Sequence, residues 1–170
     1  GCVLELGCGT GNLQRALAEQ RGLWVVGLDA SPQMLAITRR KLAASSRSAN
    51  LARAVAQALP LSATSFDSIV ATFPTDYILE HTTLAEIGRV LRPGGHLVVA
   101  LAASFGSSSP YARAIDLLYR ATLQRSPAAP PDAAPRSALG QALSRHGFAV
   151  EERWELAGSD RVHLIICERV

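Results

Sequence analysis

Glu5-Leu6-Gly7-Cys8-Gly9-Thr10-Gly11 stands between a short apolar run, Cys2 to Leu6, and a stretch with apolar residues at helical spacing, Leu13, Ala16 and Leu17, that stops at Gly22. A second buried run, Leu23 to Leu28, follows it. Strand, glycine-rich turn, helix and strand therefore fit within about 30 residues, the size of one βαβ unit, and predict a parallel sheet. The glycines at 7, 9 and 11 let the backbone turn tightly and approach a ligand with no Cβ in the way. A dinucleotide fingerprint needs Gly or Ala where Asn12 stands, and the Gly-Lys-Ser/Thr of a phosphate-binding loop is absent.

Asp29 closes the second run, 18 residues after Gly11. A carboxylate there in a doubly wound sheet accepts from both hydroxyls of a ribose. A merely structural Asp would support the helix start at Ser31 and Pro32, an N-cap followed by proline at the first helical position. Glycine turn, Asp29 and Glu5 together favour a nucleoside. With two carboxylates and no cation in the turn, the ligand charge that suits this place is positive, an ammonium or sulfonium rather than a pyrophosphate.

Outward from this unit, strand and helix keep alternating. Leu51 to Val55 reads as a short strand and Phe66 to Thr72 as a buried one. Thr82 to Leu91 has helical spacing and stops at Pro93, Gly94 and Gly95, before a strand over His96 to Leu101. Tyr111 to Gln124 reads as an amphipathic helix, Ser126 to Arg136 as a Pro- and Ala-rich loop, and Ala138 to Arg145 as a last helix ended by Gly147. Phe148 to Leu156 and Arg161 to Val170, around Gly158, Ser159 and Asp160, predict an antiparallel hairpin at the sheet end.

The 170 residues, 48% apolar and 18% charged, suit a single globular domain. No apolar run reaches the roughly 20 residues of a membrane helix. The net charge of +3 comes from sixteen arginines and the single Lys41, spread along the chain without interleaved aromatics, which reads as a solvated surface rather than a nucleic-acid footprint. Cys2, Cys8 and Cys167 form neither a CxxC pair nor an even framework, so a reducing cytoplasm is expected, and no metal site is.

The segment Glu5 to Gly11 resembles motif I of the class I S-adenosylmethionine-dependent methyltransferases. Val26-Gly27-Leu28-Asp29-Ala30-Ser31-Pro32-Gln33-Met34-Leu35 resembles their second-strand motif, and Ala58-Leu59-Pro60-Leu61 with Ser65-Phe66-Asp67 their approach to the fourth strand. Arg89-Val90-Leu91-Arg92-Pro93-Gly94-Gly95-His96-Leu97-Val98-Val99 is similar to the helix, turn and fifth strand that follow. Within the family the small-molecule group that includes the ubiquinone and menaquinone C-methyltransferases is nearest. The resemblance implies an α/β, doubly wound, Rossmann-like sheet of seven strands in the order 3-2-1-4-5-7-6 with strand 7 antiparallel. It also implies one methyltransferase domain over residues 1–170 that lacks native N-terminal helices, with a variable insert and loop over residues 102–136.

The implied cofactor is S-adenosyl-L-methionine and the implied partner a small-molecule methyl acceptor. Glu5 would face the methionine amino group, Gly7, Cys8, Gly9 and Gly11 would pass under the methionine and ribose, and Asp29 would hold the ribose hydroxyls. Ala30 and Met34 would pack near the adenine. The related pattern has an acidic residue where Val55 stands here, and Ala56 backbone with the Gln57 side chain would take its place. Thr72 and Phe73 would lie where methyl meets acceptor, and Thr72-Phe73-Pro74-Thr75 departs from the Asn/Asp-Pro-Pro-Tyr pattern of many nucleobase methyltransferases.

Methyl transfer is an in-line displacement for which alignment and desolvation supply most of the catalysis, so a dedicated base is optional. Asp76, Tyr77 and His81, after the fourth strand, are the candidates for one, against structural roles as turn Asp, core tyrosine and helix-start histidine. The competing reading is a catalytically silent module of the same fold that binds cofactor or a partner chain. An NAD(P)-dependent oxidoreductase is disfavoured by Asn12 and by the absence of a Tyr-x-x-x-Lys pair.

Overall fold

The computed structural model describes residues 1–45, 50–104, 137–157 and 160–170. Their strands are β1 (Cys2–Leu6), β2 (Trp24–Asp29), β3 (Leu51–Arg53), β4 (Phe66–Thr72), β5 (Leu91–Ser104), β6 (Phe148–Ala157) and β7 (Asp160–Arg169). Between them lie helices α1 (Asn12–Ala18), α2 (Pro32–Ala44), α3 (His81–Val90) and α4 (Ala138–Arg145), and a single 3₁₀ turn, Asp76–Leu79. The expected helix over 111–124 and loop over 126–136 lie outside the described residues.

The strands form one sheet in the order β3-β2-β1-β4-β5-β7-β6. Strands β1 to β5 run parallel, whereas β7 runs antiparallel to both β5 and β6. This is the expected doubly wound topology. The central strands are covered on both faces, which is why β1 is buried throughout from Val3 to Leu6, with Glu5 the one charged residue in an otherwise apolar run. Leu4, Ile69, Leu97 and Ile165, from β1, β4, β5 and β7, are fully buried in one core with Leu84, Ile87 and Val90 of α3 and Leu143 of α4.

Two helix starts follow their caps. Ser31 accepts from the Met34 amide at 3.3 Å with Pro32 at the first helical position, and Ser137 accepts from the Gly140 amide at 3.0 Å. Several boundaries differ from expectation. β3 ends at Arg53 rather than Val55, and β5 starts at Leu91 rather than His96. Leu91 pairs with Phe66 and His96 with Ser68, so Arg92-Pro93-Gly94-Gly95 is a bulge within β5. A Cβ on Gly95 would sit 2.8 Å from the Arg92 carbonyl and 3.0 Å from that of Asp67, so the bulge requires glycine there. β5 also continues to Ser104, three residues into the expected insert. In α1 the buried position is Gln14, and Ala16, expected on the apolar face, is exposed. Gln14 lies against Gly27, where an added Cβ would stand 2.9 Å from its side-chain oxygen.

Candidate functional site

Gly7, Gly9 and Gly11 have φ of +68°, +51° and +74°, so each adopts the left-handed conformation that glycine enters without steric cost. Three hydrogen bonds hold the turn in place over the carboxyl ends of β1 and β2. Cys8 N–H donates to the Leu28 carbonyl at 2.9 Å, Gly9 N–H to Asp29 Oδ2 at 2.8 Å, and the Thr38 hydroxyl to the Gly9 carbonyl at 2.7 Å. The other Asp29 oxygen accepts from Ser31 N–H at 2.8 Å. Asp29 thus joins the glycine turn to the start of α2, and its remaining lone pairs are available to a ligand.

Glu5 is 1% exposed on β1, and its Oε2 has no hydrogen-bond partner. Burial, reinforced by the negative charge of Asp29, raises its pKa to about 7. A buried carboxyl with an unused oxygen beside a second carboxylate can accept from a positive group. Cys8 is buried in the same turn, and burial, with the charges of Glu5 and Asp29, pushes its thiol up to about 12, so it is an inert packing group.

A cavity of about 340 Å³ opens along this edge of the sheet, within the range of small-molecule sites. Its floor is Leu6 and Gly7 at the end of β1 and Leu28, Asp29 and Ala30 at the end of β2. Ala54, Val55, Ala56 and Gln57, after β3, form one wall, and Thr75 and Tyr77, after β4, form the other. Such a position, at the carboxyl ends of parallel strands where the order reverses, is the usual ligand crevice of doubly wound sheets.

Among the expected site residues, Gly7, Asp29, Ala30, Ala56 and Gln57 line this cavity, as does Tyr77 among the candidate bases. Glu5, Cys8, Gly9 and Gly11 form the strand end and turn beside it. Thr72 ends β4, and Phe73 follows it with φ of +49°, its N–H on the Ala100 carbonyl at 2.8 Å and its ring half exposed. Neither is part of the lining. Met34 lies on the first turn of α2, partly exposed, and is also outside it. Asp76 is exposed at the start of the 3₁₀ turn. His81 opens α3, with its Nδ1 2.7 Å from Nε2 of His146, whose own Nδ1 lies 2.8 Å from the Ala142 carbonyl. That carbonyl can only accept, so His146 presents its Nε2 lone pair to an Nδ1–H on His81. The pair ties α3 to α4 rather than facing the cavity.

Two contributors were not anticipated. Thr38 is fully buried and both bonds and packs the glycine turn. It shares the buried face of α2 with Leu35 and Leu42, and a polar β-branched residue on that stripe was the available signal. Glu80 accepts from the Gln57 amide nitrogen at 3.0 Å. A carboxylate can only accept, so it orients the amide and leaves the Gln57 carbonyl oxygen as the acceptor.

Residues 3–95 match the model of a family described as methyltransferase domain. Among curated relatives, a demethylmenaquinone methyltransferase of Thermus thermophilus is 38% identical over 125 residues, 72% of this chain and 54% of the relative. The chain spans about half the length of that relative, and 41% of a ubiquinone/menaquinone biosynthesis C-methyltransferase of Geobacter sulfurreducens, 33% identical over 104 residues and 58% of this chain. Among solved structures, one from echinomycin biosynthesis, described as conversion of a disulfide bond into a thioacetal group, is 26% identical with a TM-score of 0.66, covering 99% of this chain and 75% of that one.

Proposed function

Because this chain belongs to the methyltransferase domain family, we propose that its cavity binds S-adenosylmethionine and that the chain directs the methyl group to a small-molecule acceptor. The observation that carries this reading is Asp29, a carboxylate that lines the cavity while its two oxygens anchor the glycine turn and the start of α2. The residues present fit the cofactor. Asp29 matches the ribose hydroxyls, the unused Glu5 oxygen matches the cationic amino end, and the glycine turn leaves room where side chains would intrude. The Gln57 oxygen, oriented by Glu80, is an acceptor for the adenine amino group in place of the acid absent at Val55.

When bound, S-adenosylmethionine supplies a methyl group on a sulfonium, an electrophile that requires no further activation. The chain's task is then to bind, orient and keep water out. Tyr77, on the lining, is raised to about 12 by burial and by Asp29, which favours the protonated phenol at neutral pH. Asp76 and His81 stand apart from the lining. Acceptors already nucleophilic at the attacking atom fit this arrangement, and electron-rich quinols are such compounds. The named activity of the Thermus thermophilus relative supports a quinol-type acceptor. A cytoplasmic setting and a small molecule rather than nucleic acid accord with the cysteine usage and with Thr72-Phe73-Pro74-Thr75.

The test is methyl transfer from labelled S-adenosylmethionine to a panel of quinols and polyphenols, measured beside cofactor affinity. Transfer to a member of the panel supports the reading. Tight cofactor binding without transfer to any small molecule would favour a catalytically silent module instead.

A further inference from the structure

We propose that the Tyr77 hydroxyl is the donor that holds the carboxylate of the bound cofactor's amino-acid tail, a role resting on the cofactor reading above. The order of strands along the cavity fixes where that tail runs. With the ribose at Asp29 on β2 and the wall Ala54 to Gln57 beyond it toward β3, the rest of the ligand has to extend the other way, across Gly7 on β1 toward β4. Tyr77, in the 3₁₀ turn after β4, closes that end. Its hydroxyl oxygen stands 3.0 Å from the place a Cβ on Gly7 would take, so it overhangs the first glycine of the turn.

The chemistry of the lining assigns the role. No lysine, arginine or histidine lines the cavity among the described residues, so an anionic tail end there is left to neutral donors, and of the two lining hydroxyls, Thr75 and Tyr77, it is that of Tyr77 that overhangs Gly7. Asp29 repels an anion, and the Gln57 amide nitrogen is engaged with Glu80. The Tyr77 hydroxyl makes no hydrogen bond among the described residues. Its raised pKa, to about 12, has burial as the larger cause and Asp29 as the smaller, and leaves it a phenol able to donate across the neutral range.

The experiment is calorimetric titration of the chain and of Tyr77→Phe with two ligands, S-adenosylhomocysteine and 5′-methylthioadenosine. The second keeps the nucleoside and sulfur but lacks the amino-acid tail. Tyr77→Phe should weaken S-adenosylhomocysteine about tenfold and leave 5′-methylthioadenosine within about twofold, as expected for loss of one hydrogen bond to a charged group. Equal losses for both ligands, or no loss for either, would overturn the assignment. Failure of the underlying reading looks different, because the unaltered chain would then bind neither nucleoside. Should Tyr77→Phe not fold, Tyr77→His gives the second test: a shorter donor restores preference for S-adenosylhomocysteine, and its failure to exceed 5′-methylthioadenosine binding counts against the proposal.

Discussion

Gly9 N–H donates to the Asp29 carboxylate at 2.8 Å, tying the turn after β1 to the end of β2. One residue therefore shapes the glycine turn and faces the cavity. Asp29→Ala should weaken S-adenosylhomocysteine by about 1–3 kcal/mol, because a buried ribose would leave its hydroxyls unpaired. Asp29→Asn keeps one acceptor and should fall between. Calorimetry at fixed pH checks the order.

The glycines of the turn are not interchangeable. A Cβ on Gly11 would lie 2.5 Å from Thr38 Cγ2 at a φ of +74°, so Gly11→Ala should lower thermal stability clearly. A Cβ on Gly9 meets nothing nearer than the Gly7 carbonyl at 3.9 Å. Gly9→Val should then cost mainly the left-handed conformation, at least about 1–2 kcal/mol for a β-branched residue, while filling ligand space. Melting curves and binding isotherms should separate the two, with Gly11→Ala failing first in stability and Gly9→Val in binding.

Glu5 makes both stability and affinity depend on pH. Its carboxyl has a pKa of about 7 when folded and near 4.5 when unfolded, so between these values the folded state holds more protons. Stability of the free protein should fall as pH rises through that window, by up to about 3 kcal/mol. Asp67 and Glu86, whose lowered pKa values act in the opposite direction, lose their contribution only at more acid pH. A cationic ligand favours ionised Glu5, so cofactor affinity should rise from pH 6 to pH 8. Glu5→Gln should flatten both profiles, and an unchanged slope in that variant would remove Glu5 from the account.

On the proposed reading, the Gln57 oxygen, set by Glu80, would accept from the adenine amino group. S-inosylhomocysteine, which carries no amino group at that edge, should bind about fivefold less well than S-adenosylhomocysteine, and Gln57→Leu should narrow the difference. Side-by-side titrations of the two nucleosides give the ratio.

Much of the fold was legible wherever glycine or proline punctuates an apolar run. Phe66–Thr72 and Ala138–Arg145 match the expected strand and helix at both ends. The same punctuation misleads at Pro93-Gly94-Gly95, where the break is a bulge inside a strand rather than a gap before one, because Phe66 already pairs with Leu91. Gln14 was invisible to an apolar pattern, since its burial depends on the missing side chain of Gly27 one strand away. At the site, glycine turn and Asp29 announce themselves locally. Thr38, the Gln57–Glu80 pair and the overhang of Tyr77 on Gly7 each join residues at least 20 apart in the chain, with no spacing rule to connect them. The left-handed Phe73 had no signal at all, because bulky residues rarely enter that conformation.

On the proposed reading, the crevice over Gly7 and Asp29 takes an adenosyl ligand with a positive amino-acid end. The most direct measurement is calorimetric titration of the unaltered chain, at about pH 8, with S-adenosylmethionine and, separately, with NAD. The unaltered chain should show one saturable site for S-adenosylmethionine, weakened by about 1–3 kcal/mol in Asp29→Ala, and no comparable binding of NAD. Equal affinity for NAD, or S-adenosylmethionine binding that survives Asp29→Ala undiminished, would contradict that reading.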